Sequence, residues 1–255
     1  MITSISRHKQ FSLACAIVLV ASSASYAAEV QATKVQPIIL AQKFPPNGEP
    51  TGRRRGGTSR GENCPDLETP VTAIVPGDEN NNKSLFASTV AEYPTFWVYL
   101  PKLPDNLRSG EFVLQDEQGQ DIYRTPLTLP RKPGALSIAL PSNPKYALKL
   151  NSKYQWFFRV YCNNKQQIPS DYFFVDAWLQ RVALTPNLQQ ELNKAKAKEH
   201  TVYTANNLWY DAITSLGERR RDNPNDRLLA EEWAKLLKTM GLLELAQEPI
   251  LHALE

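Results

Sequence analysis

The sequence predicts a mainly β protein with an α-helical tail: a β-sandwich over residues 64–185, then a short antiparallel helical hairpin region over 186–255. Three observations carry that expectation. Short runs rich in Val, Phe, Tyr and Trp recur between Pro and Gly turns from Pro65 to about Thr185. One of them, Tyr154 to Cys162, alternates at period two: Tyr154, Trp156, Phe158, Val160 and Cys162 against Gln155, Phe157, Arg159 and Tyr161. After Pro186 the apolar spacing changes to the helical one.

The chain opens with a segment that reads as a secretory signal peptide, residues 1–27. Arg7 and Lys9 form a basic region, Phe11 to Ala21 is an apolar run too short to span a bilayer, and Ser25-Tyr26-Ala27 fits a cleavage site. The mature chain is then expected to begin near Ala28 and to work in the periplasm or outside the cell. Leu13-Ala14-Cys15 falls short of a lipoprotein box, because Ser12 stands where that motif wants Leu. Removing the signal takes away two cations and no anion, so the formal charge drops from +3 to +1. A near-neutral chain has no global attraction to nucleic acid. No second stretch approaches transmembrane length.

Residues 28–63 read as a flexible Gly/Arg-rich linker. Its core, Gly52 to Gly61, is expected to be a solvated tether. The sharper alternative is a contact for phospholipid headgroups or acidic cell-wall polymers.

Strands are expected at Val71–Val75, Leu85–Val90, Thr95–Leu100, Glu111–Gln115, Gln120–Leu129, Ala135–Leu140, Tyr154–Cys162 and Asp171–Leu184. Asp116-Glu117-Gln118-Gly119 is a turn with Gly placed for a positive φ. Tyr123, Thr125, Leu127 and Leu129 share a face if Pro126 lies on an edge strand. In the tail, Thr185 can cap a helix begun by Pro186, with Leu188, Leu192 and Ala195 as its stripe. Leu208 to Leu216 makes a second stripe. Leu229 to Met240 makes a third, stopped by Gly241, and a short fourth helix fits Leu242 to Gln247.

Export also decides the cysteine reading. Cys15 leaves with the signal, so Cys64 and Cys162 remain, and in an oxidising compartment they are expected to form a disulfide. Zinc would want clustered ligands at short spacing, which the chain lacks.

Three resemblances follow from these residues. Leu148-x-Leu150-x-x-x-Tyr154-x-Trp156 resembles the tyrosine corner of immunoglobulin and fibronectin type III sandwiches, which implies a Tyr hydroxyl bonded to upstream backbone. Leu208 to Ile213 with Asn223-Pro224-Asn225-Asp226 resembles the second helix and exit turn of a tetratricopeptide repeat. Only one to one and a half units fit, too few to stand alone, which implies helices docked on the sandwich or on another protein. Ser59-Arg60-Gly61-x-x-Cys64-Pro65, Glu92 to Trp97, Phe112 to Asp116, Trp178 to Val182, Trp209 to Ala212 and Asn223 to Asp226 resemble a cyanobacterial exported family known only as a domain of unknown function, number nine-two-eight. That resemblance implies an exported cyanobacterial protein and supplies no catalytic residues.

No nucleophile motif or phosphate-binding glycine loop is present. His200 is expected at a solvent-facing or helix-terminal position, and as a general base it lacks a partner visible in sequence. His252 lies in the chain end. Carboxylate pairs such as Asp116/Glu117 and Glu231/Glu232 carry little glycosidase signal. Asp78 to Asn82 reads as a polar loop rather than a calcium site. No catalytic, cofactor-binding or metal-binding residue is assigned.

Aromatics are the more informative class. Phe157, Tyr161 and Trp178 fall on the outer sheet face by alternation, and the economical expectation is that the C-terminal helices cover them. The alternative is an open patch for a partner or a glycan. The sequence favours a non-enzymatic exported adaptor that recognises an envelope protein or membrane sensor. It would use Trp178, Phe157, Tyr161 and the Arg219-Arg220-Arg221 cluster, which also suits the helix C-terminal dipole. The second reading is a carbohydrate-binding or weakly carbohydrate-active sandwich.

Overall fold

A computed structural model describes residues 52–58, 64–77, 85–162 and 171–251. The expected signal peptide, most of the linker, the Asp78–Asn82 loop and His252 lie outside the described residues. The strands are β1 (Arg53–Thr58), β2 (Thr72–Ala73), β3 (Phe86–Thr89), β4 (Thr95–Leu100), β5 (Ser109–Asp116), β6 (Asp121–Thr128), β7 (Gly134–Ala139), β8 (Lys153–Tyr161) and β9 (Tyr172–Arg181). They form one mostly antiparallel sheet in the order β6-β5-β8-β9-β1-β2-β4-β7, with β3 parallel beside β9.

The sheet is curled. β4 stands far from β5 and β8 in strand order, yet the Phe96 ring lies 4.7 Å from Phe112 and 5.5 Å from Trp156. Alternation puts one face of each strand into this shared core. Tyr154, Trp156, Phe158, Val160 and Cys162 are all buried, as their spacing predicts. Leu127 and Leu129 are buried and Tyr123 packs against the same cluster, while β6, which carries Pro126, is an edge of the sheet. Gly119 turns the β5–β6 hairpin at φ 76°. The Tyr154 hydroxyl accepts a hydrogen bond from the Lys149 amide at 2.8 Å, pinning the entry to β8. Cys64 and Cys162 are joined in a disulfide, with Cα atoms 5.0 Å apart. Closing a loop of that length stabilises the fold by about 4–5 kcal/mol on the chain-entropy account.

One reading of the sequence is corrected here. Residues 53–58 belong to no tether: they form β1, a central strand between β9 and β2. Composition misled because Arg54 is a buried arginine, only 6 % exposed. Its guanidinium donates to the carbonyl of Gly77 at 3.2 Å and to that of Met240. The Met240 carbonyl ends a helix, where a cation answers both an orphan acceptor and the dipole.

The tail holds α1 (Pro186–Ala195), α2 (Glu199–Ala205), α3 (Trp209–Asp222) and α4 (Arg227–Thr239). Thr185 caps α1 through its hydroxyl, and Asp226 caps α4 by accepting from the amides of Leu228 and Leu229. The fourth expected helix is a single 3₁₀ turn, Leu243–Leu245. Helix α2 escapes the sequence reading because its seven residues carry too few apolar positions for a stripe.

Helices α3 and α4 pack on the outer side of β4. Trp97, Tyr99, Ile74 and Ala135 meet Ile213, Leu216, Trp233 and Leu237 in a second core. Gly217 is what lets α3 lie so close, since a Cβ there would sit 2.5 Å from the Trp97 ring. Tyr210 enters the main core from α3: its hydroxyl accepts from Trp156 Nε1 at 2.8 Å and donates to the Trp178 carbonyl at 3.2 Å.

Candidate functional site

The helices therefore cover β3 and β4 rather than β8 and β9. This corrects the expectation that they blanket Phe157, Tyr161 and Trp178. Those three side chains sit half-buried on the outer face of β8 and β9. Register fixes their neighbours. One row across the strands reads Arg124, Val113, Phe157, Asp176, Arg53, and the next reads Asp121, Gln115, Gln155, Trp178, Phe86. On the other side of Phe157, Glu111, Arg159 and Phe174 line up, followed by Tyr161 opposite Tyr172.

Asp176 is the centre of this face and is 6 % exposed. Its two oxygens accept from the Arg53 amide at 3.0 Å and from Gln155 Nε2 at 2.8 Å. Burial pushes its carboxyl above the usual carboxylate range, against the lowering effect of those two bonds. Glu111 is the second acidic node. It accepts from Arg159 at 3.0 Å and from the Tyr161 hydroxyl at 3.1 Å, and it pairs with Arg124 at 2.6 Å. Burial, then the Glu111 charge, holds the Tyr161 phenol above its ordinary value.

Guanidinium groups cover the ring faces. Arg53 lies 4.5 Å over Phe174, and Arg159 lies 5.6 Å over Phe157 and 5.3 Å over Tyr172. The rings also meet edge-on, Tyr161 to Tyr172 at 84° and Tyr172 to Phe174 at 65°. The surface is thus an interlocked cation–aromatic mosaic, not a flat stack of open rings.

The arginine cluster is elsewhere and turned inward. Arg219 donates to the Ala197 carbonyl, Arg220 to the Ala246 carbonyl at 3.2 Å, and Arg221 to Ser137 Oγ at 3.1 Å. Arg220 also lies 5.7 Å over the Trp233 ring. These side chains staple α3 to its surroundings, and the fold does not bring them to Phe157 or Tyr161.

His200 is buried at 4 % exposure in the first turn of α2, not solvent-facing. Its Nε2 lies 3.3 Å from Glu232 Oε2 across a groove of about 380 Å³ between α2 and α4. No sequence spacing announces that pairing. Burial, the dominant cause, lowers the imidazole pKa despite Glu232. The hydroxyls around the groove, of Thr201, Thr204 and Thr239, all donate to carbonyls of their own helical segments.

Among the described residues, no three His, Cys, Asp or Glu side chains converge as a metal site would need. No helix there is long and apolar enough to cross a membrane.

No curated protein matches the chain. A solved β-glucuronidase from Ruminococcus gnavus, in complex with N1-substituted uronic isofagomine, aligns at 11% identity with a TM-score of 0.19. The alignment covers 80% of this chain and 51% of the other, so this chain spans about half of that enzyme's length. A likeness this slight carries no argument about fold or activity. The model of the family described as Domain of Unknown Function (DUF928) matches residues 55–250, from within β1 to the segment beside β7, and the chain belongs to that family.

Proposed function

We propose that this is an exported, non-catalytic interaction module of the cell envelope, and that the outer face of β5, β8 and β9 is where it meets a protein partner. The observation that carries the reading is the half-buried mosaic around Phe157, Asp176 and Arg159, left uncovered by helices that pack on β4 instead. Aromatic and Arg side chains are the types enriched at interface centres. The finer architecture we favour is an immunoglobulin or fibronectin-like sandwich with a tetratricopeptide-like tail, in a cyanobacterial chain processed near Ala27. The Tyr154–Lys149 bond supports the first part.

The second reading, a carbohydrate-binding sandwich, rests on the same aromatics. It is disfavoured by the guanidinium cover on Phe174, Phe157 and Tyr172, since a sugar stacks on an open ring face. Chemical cross-linking of the mature chain in its native envelope separates the two. Recovery of one defined protein, lost in Phe157→Ala and Arg159→Ala, is the expected result. Retention on glucan or peptidoglycan, lost in Trp178→Ala, would replace it with the carbohydrate reading. Charge reversal at Arg219 to Arg221 tests folding rather than recognition, because those side chains bond within the chain.

A further inference from the structure

We propose that the cleft where the β3–β4 connection meets α2 and α3 binds an organic cation, an alkylammonium or guanidinium group. The cavity measures about 200 Å³, and it is separate from the outer sheet face. Six residues define its chemistry: Tyr93, Thr95, Tyr203, Asp211, Ser215 and Glu218.

Two carboxylates face the cavity, and no Lys, Arg or His lines it. Asp211 is held firmly. Its Oδ1 accepts from Thr89 Oγ1 at 3.1 Å and its Oδ2 from the Val90 amide at 3.2 Å, and the amides of Ala91 and of Asp211 itself also favour the charged form, so the group stands as a fixed charge in the wall. Glu218 stands two helical turns further along α3, exposed at the rim, with no ion pair among the described residues. The hydroxyls of Thr95, Tyr203 and Ser215 likewise make no hydrogen bond among the described residues. They offer acceptors to a donor-rich group.

The phenols at the cleft respond first to burial and then to nearby carboxylates. Burial raises the ordinary pKa of Tyr203, and the charges of Asp211 and Glu199 raise it further. Tyr93 is raised by burial and then by Glu92. The nearest guanidinium acting on Tyr93, that of Arg181, is committed to Glu92 at 3.1 Å and to the Leu148 carbonyl. A cleft with anionic walls, tyrosine rings and no resident cation fits a ligand that brings its own positive charge. Tyr93 and Tyr203 supply rings for cation–π contact, Glu218 supplies a charge-assisted hydrogen bond, and Asp211 adds negative charge behind it.

The test is calorimetric titration of the mature chain with agmatine, with putrescine, with N-acetyl-arginine amide and with butane-1,4-diol. Saturable one-to-one binding of agmatine with none of the diol is expected. Binding of the arginine amide as tightly as agmatine assigns the site to a partner's side chain, and preference for agmatine and putrescine assigns it to a free amine. Glu218→Gln lies on an exposed helix surface and leaves the fold intact. It should weaken agmatine about tenfold, the worth of one charge-assisted bond. Tyr203→Phe should weaken it about threefold, as a lost neutral hydrogen bond does. The proposal is overturned if no cation saturates, if the diol binds equally, or if Glu218→Gln and Tyr203→Phe leave agmatine unchanged. Phe157→Ala on the outer face should not alter agmatine binding, so failure here and failure of the interaction reading are distinguishable.

Discussion

Two aromatic faces of one sheet meet different fates. On β4, Trp97 and Tyr99 project away from the main core and are sealed under α3 and α4. On β8 and β9, Phe157, Tyr161, Tyr172 and Phe174 also project away from it and keep part of their surface in water. What separates them is the company each keeps. Trp97 and Tyr99 have Ile74 and Ala135 beside them, with only the small hydroxyls of Thr72 and Ser137 as register partners, so the strand residues of the patch carry no charge. On the other face Lys153, Gln155, Arg159, Asp176 and Gln180 are interleaved with the rings. An apolar patch of helix width recruits a helix. A mixed one is stable in water because its cations already lie on its rings.

The sharpest way to break that comparison is to truncate one ring on each face. Trp97→Ala removes a fully buried indole and its bond to Thr214 Oγ1, and should cost about 3–5 kcal/mol in urea unfolding. Phe157→Ala should cost about 1 kcal/mol, because part of that ring is never removed from water. Equal losses would mean that the β8–β9 face is core rather than surface.

A pH titration sharpens the same boundary at the α3 junction. Burial pushes the Asp211 carboxyl up to about 6 from an ordinary 3.8, despite its bonds to Thr89 and Val90. Folding therefore binds a proton more tightly, so Asp211's contribution is fully present below about pH 4 and is lost as pH rises toward 6 and above. The difference in unfolding free energy between the native chain and Asp211→Asn should fall by about 3 kcal/mol across that window. A flat difference would place Asp211 in water and α3 less firmly on the sheet.

Gly217→Ala probes the contact itself. The gain in helix propensity, about 1 kcal/mol, opposes a methyl placed 2.5 Å from a rigid indole. Overpacking should win, for a net loss of about 1–2 kcal/mol in the same unfolding assay. Stabilisation would show that α3 can slide on β4 without loss.

Much of the fold was readable because alternation and turn chemistry are local. Thr95–Leu100 was delimited by its aromatics and Pro101, and Tyr154–Cys162 by period two. The covering of a face was not readable, since periodicity reports which side a residue occupies and never what arrives there from far along the chain. Strand β1 was hidden for a related reason. Arg54 looks like a solvated charge until Met240 and Gly77 supply its acceptors. At the candidate sites, Phe157, Tyr161 and Trp178 were found by alternation. The pairing of His200 with Glu232, and the meeting of Tyr93 with Asp211 and Glu218, depend on helix packing that no local pattern encodes.

The placement of β1 has a consequence for how this molecule acquires its shape. The Arg53 amide finds its carboxylate 123 residues downstream, so the earliest strand of the sheet must wait for the last before either is complete. Assembly is then governed by long-range closure, which is slow. A chain begun at Cys64 would not be a trimmed protein but one split down its middle, with β2 and the stretch of β9 not covered by β3 presenting raw edges to any neighbour.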